Sequence, residues 1–322
     1  MEDWNLNPFW RKEKPSEAEK KVKELYDGAK MPDIDRSYLH EPTSKSPNGR
    51  FVLEWFDGYQ LRYGSRESGD GQYSLMEGGK RILKGTMQRP NDGHVANDGS
   101  FVLCDWMFGE GLKGTLYAID KAGAILLKKS FDANLLNCAI STDGRYVVCQ
   151  TAYSKSEDNH KLSLFDLTDG ARLFCVEPPE ERWAEGYEIA PSENKVYLIY
   201  KDFGRYAYSF SGEFLDKGKW LEENIKIADG IQLAQIARRL WAECKGEVPS
   251  EKTQRAIALM EEALRRGMLK KPVEMAKIYR DIGEAYESLN QSEKALDNYK
   301  KSLSIDPKAG VRRKIEKLTK DI

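Results

Sequence analysis

A short phrase, a polar turn running straight into an apolar strand, recurs along this chain and limits what it can fold into. It reads Ser46-Pro47-Asn48-Gly49-Arg50-Phe51-Val52-Leu53, then Ala96-Asn97-Asp98-Gly99-Ser100-Phe101-Val102-Leu103, then Ser141-Thr142-Asp143-Gly144-Arg145-Tyr146-Val147-Val148. A degenerate copy follows at Ala190-Pro191-Ser192-Glu193-Asn194-Lys195-Val196-Tyr197-Leu198. Aligning Gly49, Gly99, Gly144 and Asn194 gives steps of 50, 45 and 50 residues. Recurrence at such a period means one supersecondary unit repeated as an array, in which each copy needs neighbours to bury its apolar side. Gly and Asn sit where a tight turn requires positive φ, and the β-branched and aromatic residues that follow suit a strand.

Each phrase is followed, after a variable polar stretch, by a second strand. These are Gly71–Met76, Gly114–Asp120, Lys161–Leu167 and, more weakly, Tyr206–Gly212. Alternation in Leu162, Leu164 and Leu167 breaks once, which fits a strand buried on both faces. Short strands at regular spacing predict an all-β sandwich, barrel or propeller over this stretch.

The third unit resembles a WD-repeat or related β-propeller blade. Cys138-Ala139-Ile140-Ser141-Thr142-Asp143-Gly144-Arg145-Tyr146-Val147-Val148 is similar to that family's A-F-S-P-D-G-R-Y-L-A turn and strand. Leu164-Phe165-Asp166-Leu167-Thr168-Asp169-Gly170 is similar to its L-W-D-L-x-T-G strand, with Ile119-Asp120 and Phe165-Asp166 at the Trp-Asp position. No unit carries the family's Gly-His ahead of the strand, since Gly93-His94 lies too close to its turn. The resemblance over 46–215 therefore implies propeller-like blades rather than a strict WD repeat. Four blades imply a small closed ring, or an open arc whose edges the N-terminal arm, the helical residues or another chain must cover.

Residues 1–45 read as an arm. Trp4, Phe9 and Trp10 stand in an aperiodic segment suited to a docking peptide or to lying across the chain's own domain. A short amphipathic helix follows, with Ser16 as cap, Glu19 as its capping-box partner, an Ala18, Val22, Leu25 stripe and Gly28 as stop.

Near Leu221 the apolar period lengthens to that of a helix. Ile231, Ala234, Ile236, Ala237, Leu240 and Trp241 predict one helix, and Ala256, Met260, Ala263 and Leu264 a second. Tyr279, Ile282, Gly283, Tyr286, Leu289, Ala295, Tyr299, Ser302 and Pro307 then resemble a tetratricopeptide repeat at its small and large signature positions. Gly283 and Ala295 would let two helices approach closely, with the tyrosines filling the space around them. Residues 228–267 resemble a preceding, less faithful repeat. Val311, Ile315 and Leu318 form the stripe of a last helix whose other face is Arg312, Arg313, Lys314, Lys317 and Lys320, as in a solenoid cap. That basic face suits solvent, or a phosphate backbone or acidic partner. The expected architecture is thus all-β plus all-α: an arm (1–45), a four-unit propeller-like domain (46–220) and a tetratricopeptide-like solenoid (221–322).

Composition narrows the function classes. The 322 residues are 40% apolar and 32% charged, with a net charge of −1, so no global field steers nucleic acid or acidic substrates to the chain. Cys104, Cys138, Cys149, Cys175 and Cys244 are odd in number and form no C-x-x-C pair, which predicts reduced cysteines acting as small buried hydrophobes. The start, Met1-Glu2-Asp3-Trp4, lacks a basic region followed by an apolar stretch, and no run is long enough to span a membrane. A cytoplasmic protein without a membrane segment is the expectation.

Two strings imitate catalytic motifs. Gly109-Glu110-Gly111-Leu112-Lys113-Gly114 satisfies G-x-G-x-x-G, but a strand follows where a dinucleotide site needs a helix. Asp202-Phe203-Gly204 supplies a D-F-G, yet none of His40, His94 and His160 begins the H-R-D that a kinase needs. Both read as hairpin turns. The histidines have no ligand-spaced partner, G-x-S-x-G is absent, and the Asp-rich turns Asn91-Asp92-Gly93 and Asn97-Asp98-Gly99 lack the twelve-residue calcium-loop spacing. The sequence therefore predicts no catalytic, cofactor or metal residues.

The tetratricopeptide resemblance implies a protein-binding groove presenting Lys277, Arg280, Glu284, Glu287 and Ser288. Glu284 stands where family members that bind chaperone C-termini carry Asn, so the groove suits an extended peptide or a helix instead. The resulting expectation is a non-enzymatic protein–protein adaptor, with no nucleic-acid or membrane partner. Two alternatives stand beside it: an enzyme or small-ligand binder with its site on the propeller face, and a self-assembling component whose second copy covers open sheet edges.

Overall fold

The computed structural model describes residues 43–57, 70–108, 111–179, 182–244, 251–267 and 271–321. It divides into two units, Met1–Asp216 and Lys217–Ile322. The expected arm helix and the aromatics Trp4, Phe9 and Trp10 lie outside the described residues, as do Gly109 and Glu110 of the Gly-rich string.

The first unit is propeller-like, four consecutive antiparallel meanders. Sheet I holds β1 (Thr43–Lys45), β2 (Phe51–Phe56), β3 (Gly71–Glu77) and β4 (Lys80–Met87). Sheet II holds β5 (Pro90–Val95), β6 (Phe101–Asp105), β7 (Gly114–Ile119) and β8 (Ile125–Phe131). Sheet III holds β9 (Leu135–Ile140), β10 (Tyr146–Thr151), β11 (Leu162–Asp166) and β12 (Ala171–Val176). Sheet IV holds β13 (Gly186–Ala190), β14 (Lys195–Tyr200) and β15 (Gly204–Ser209). The repeated phrases are the turns into β2, β6, β10 and β14, and the expected second strands are β3, β7, β11 and β15.

The core follows from the composition of β6. Phe101 and Leu103 pack with Phe51, Leu53, Trp55 and Leu75 of sheet I. Val102 and Cys104 pack with Leu135, Cys138, Val147 and Cys149 of sheet III. Successive side chains of a strand point to opposite faces, so an unbroken apolar run serves two cores at once. Burial falls off outward: β10 is buried throughout, whereas β8 and β12 are largely exposed.

The turns are joined to one another. The Asn48 N–H donates to Asn97 Oδ1 at 2.8 Å and Asn48 Nδ2 to the Asn97 carbonyl at 3.1 Å. The Asn97 N–H in turn donates to the Thr142 carbonyl at 3.0 Å. The expected positive φ is present at Gly49, Gly99, Gly144 and Asn194, at 72°, 91°, 77° and 52°. Sheet IV is attached differently: Tyr187 of β13 donates to Asn137 Oδ1 of β9 at 2.5 Å and lies 3.0 Å from Gln150 Oε1 of β10. Packing thus runs in series from sheet I to sheet IV, and among the described residues nothing comparably extensive joins sheet IV back to sheet I.

Three expectations are corrected. Thr43–Lys45, placed in the arm, is the first strand of sheet I. Asn91-Asp92-Gly93, read as a turn, is the middle of β5, where a Cβ on Gly93 would lie 2.6 Å from the Leu103 side chain. The helical part begins at Lys217, four residues before the expected boundary. The D-F-G string is a hairpin turn, as expected, with Asp202 at φ 59° between β14 and β15.

The second unit contains α1 (Lys217–Ile227), α2 (Gly230–Cys244), α3 (Glu251–Arg266), α4 (Pro272–Ser288), α5 (Ser292–Ile305) and α6 (Arg312–Asp321). A separate α1 was not expected. The pairs α2/α3 and α4/α5 are antiparallel hairpins. Gly230 at the start of α2 meets the Ala263 and Gly267 carbonyls at the end of α3, and Ser302 Oγ of α5 donates to the Ala276 carbonyl of α4 at 2.7 Å. A Cβ on Gly283 would stand 2.6 Å from the fully buried Tyr299 ring. Among the described residues no helix is long and apolar enough to cross a membrane.

Two outcomes test this framework. Gly283→Ala forces the Tyr299 ring aside and is expected to cost about 1–3 kcal/mol, read as a lower denaturation midpoint by far-ultraviolet circular dichroism. In sheet III, Arg145 Nη2 bonds Asp166 Oδ2 at 2.8 Å and Nε bonds Oδ1 at 3.2 Å. Those bonds, with the Thr168 N–H, hold the Asp166 carboxyl down at about 2. Its unfolded value is about 3.9, so the pair contributes stability above about pH 4 that is lost as pH falls towards 2. Asp166→Asn should flatten that part of the stability-against-pH profile; an unchanged slope contradicts the pairing.

Candidate functional site

The longest described helix, α4, is built to offer different faces to different neighbours. No proline interrupts its interior, and Pro272 occupies its first position, where the missing N–H costs nothing. The chain leaves the helix through Asn290 at φ 58°. Ile278, Ile282 and Ala285 are buried against α2 and α3. Tyr279 and Tyr286, seven residues apart, share a further face and stay half-buried.

That tyrosine face lines a cavity of about 550 Å³ between α3, α4 and α5. The α3 wall contributes Glu261, Leu264 and Arg265, and the α5 wall Glu293, Lys294, Asp297, Asn298 and Lys301. Lys294 Nζ lies 5.3 Å from the Tyr286 ring centroid and Lys301 Nζ 6.0 Å from that of Tyr279, within reach of cation–π attraction. Lys301 also pairs with Asp297 at 2.6 Å, which raises its pKa. The Tyr286 hydroxyl donates to Glu261 Oε1 at 3.2 Å; burial first, and that carboxylate second, push the phenol upward. Three acids and three bases alternate around two aromatic faces, and no nucleophile here is paired with a base.

The five residues expected at a groove stand elsewhere on α4, and none lines this cavity. Lys277 pairs with Glu274 on its own helix at 2.8 Å. Arg280 lies 3.3 Å from Asp281, a buried carboxylate that Arg238 of α2 also grips at 2.5 Å. Glu284 and Glu287 face Lys314 of α6 at 3.3 and 3.4 Å, and Glu287 accepts the Tyr299 hydroxyl at 2.7 Å. Partial burial pulls the Glu287 carboxyl upward, but Tyr299 and Lys314 outweigh it and hold it below the usual range. Ser288 Oγ donates to the Ala285 carbonyl at 2.7 Å. Ion pairs therefore join α4 to α2 on one side and to α6 on the other. The row at 293, 294, 297 and 301 was the readable sign of the cavity wall, since these positions share one helical face.

No protein-family model matches the chain, and no curated protein matches it. Solved structures with some likeness include that of the Dos1 propeller, at 11% identity over 53% of this chain and 43% of that one, TM-score 0.38. A protein of unknown function from Bacteroides caccae matches at 8% identity over 54% of this chain and 58% of that one, TM-score 0.34. Hsv2 from Kluyvelomyces marxianus matches at 10% identity over 54% and 49%, TM-score 0.35. The chain thus spans about half the length of each, and its architecture rests on its own strand pairing.

Lys314→Ala would leave Glu284 and Glu287 facing each other without their shared cation. Amide exchange in α6 is expected to speed up roughly two- to fivefold, the range that a loss of ~0.5–1 kcal/mol produces. Unchanged exchange would show that α6 is held by its apolar stripe alone.

Proposed function

We propose that the chain is a non-enzymatic adaptor whose helical unit holds an extended segment of a partner protein, with the propeller-like surface providing a further contact. The carrying observation is the cavity between α3, α4 and α5. Tyr279 and Tyr286 offer flat apolar area at low entropic cost, and Glu261, Arg265, Glu293, Lys294, Asp297 and Lys301 surround them with both signs of charge. Such a lining complements a segment that alternates charged and apolar residues. We read the unit as one tetratricopeptide-like pair, α4/α5, preceded by the less faithful pair α2/α3 and closed by α6. Gly283 against Tyr299, and Pro307 just beyond α5, support that reading.

The test is peptide selection on the full chain from a random library, followed by affinity measurement against variants. Selected peptides are expected to bind Tyr286→Ala and the exposed charge reversal Lys294→Glu at least about tenfold more weakly, a change of ~1.4 kcal/mol. Lys277→Ala, on another face of α4, should bind as the parent does. Equal affinity for all variants, or no peptide selected at all, overturns the reading.

A further inference from the structure

The core between sheets II and III contains a group that apolar packing does not require. Asp92 of β5, Cys104 of β6 and Cys138 of β9 bring a carboxylate oxygen and two sulfurs within 4.8 Å of one another. Both thiols are buried, at 0% and 1% exposure, and they hydrogen-bond each other. We propose that these three residues form a site for one thiophilic divalent cation of the zinc type, fastening sheet II to sheet III.

Three features carry this. The first is the placement of the acid. Pro90 pairs with Asp105 and Asp92 with Cys104, so β5 has one residue too many at Asn91, a β-bulge. Bulges re-aim side chains, and this one costs something: Asn91 Oδ1 is buried with no hydrogen-bond partner. Its result is a carboxylate beside two core thiols. The second is orientation. The Cys138 N–H donates to Asp92 Oδ2 at 2.8 Å, fixing the carboxylate beside the thiols, while Oδ1 lies 3.8 Å from His94 Nε2. Asp92 also keeps 24% of its side chain exposed, so the carboxylate side of the group reaches solvent while the thiols do not.

The third feature is chemical fit. Tetrahedral zinc with Zn–S of about 2.3 Å needs ligand atoms about 3.8 Å apart, so the group has to contract by at most about 1 Å. A divalent cation is held by thiolates, so binding at Cys104 and Cys138 would release protons and draw the two sheets together. Cys149, paired with Cys138 across β9 and β10, adds a third sulfur nearby. No sequence motif announces the site, because residues 92, 104 and 138 come from three strands of two sheets.

Untagged full-length chain, reduced and stripped with chelator, is titrated with Co²⁺ alone and then with Zn²⁺. One Co²⁺ per chain is expected, with a thiolate charge-transfer band and tetrahedral visible bands that Zn²⁺ abolishes. Cys104→Ser and Cys138→Ser should remove the bands, while Cys175→Ser, at an exposed cysteine, should leave them intact. Asp92→Asn keeps an acceptor for the Cys138 N–H, and so the fold. It should weaken Co²⁺ binding more than about tenfold, the least that losing even an outer-shell partner costs. Absence of the bands, their survival in folded Cys104→Ser or Cys138→Ser, or unweakened binding by Asp92→Asn overturns the site and leaves the cysteines as core packing.

Discussion

A strand that is apolar on both faces cannot be the edge of anything, and β6 and β10 impose this constraint on the whole first unit. Phe101 and Leu103 need sheet I, while Val102 and Cys104 need sheet III. Neither demand is met within sheet II, so no sheet is stable alone and the four must assemble in series. At roughly 25 cal/mol per Å² of apolar surface removed from water, a few such side chains outweigh any single turn. The hydrogen bonds from Asn48 through Asn97 to Thr142 then set the register between sheets that burial has already brought together. Burial supplies most of the energy, and the turns supply the alignment.

This division explains which parts could be read from the sequence. The strands that bury both faces, β6 and β10, are continuous apolar runs behind a turn with a positive-φ residue, and both signals are local. The outer strands are not legible in that way. In β8, Ile125, Leu126 and Lys128 are all exposed, and in β4 so are Lys80, Arg81 and Lys84, so neither strand alternates cleanly between an apolar and a polar face. The first strand of sheet II is the instructive failure. Pro-Asn-Asp-Gly-His-Val has turn composition, yet Gly93 is there because Leu103 and Leu53 leave no room for a side chain. A glycine selected by close packing cannot be told from one selected by φ without knowing its neighbours. The same limit hid the Asp92 group, whose members meet only once the sheets have assembled.

In the helical unit, the residues expected at a groove are polar positions on α4, and their sequence does not say what they touch. Arg280, Glu284 and Glu287 have the composition of a binding surface because ion pairs between helices use the same residues. Arg238 stands 43 residues before the Asp281 it grips, and Lys314 stands 27 residues after Glu287. Only those distant partners reveal that the face is occupied internally. Tyr279 and Tyr286 were legible as large residues at helical spacing, but their half-burial depends on how far α3 stands from α5.

The two units thus dispose of their polar residues in opposite ways. In the sheets, the turn side chains are consumed within their own turns or by the next one: Ser141 Oγ bonds Asp143, Asp98 Oδ1 receives the Ser100 N–H, and Asn97 Oδ1 receives the Asn48 N–H, so the repeated phrase is scaffold. In the helices, one face of α4 is likewise consumed. On α5, Lys294 and Lys301 stand over aromatic rings at 5.3 and 6.0 Å, and the Lys301–Asp297 pair lies on the exposed helix surface, so a ligand can replace these partners without leaving a buried charge bare. Exchangeable pairing of that kind, rather than polarity as such, distinguishes the proposed binding surface from the face of α4 that holds the helices together.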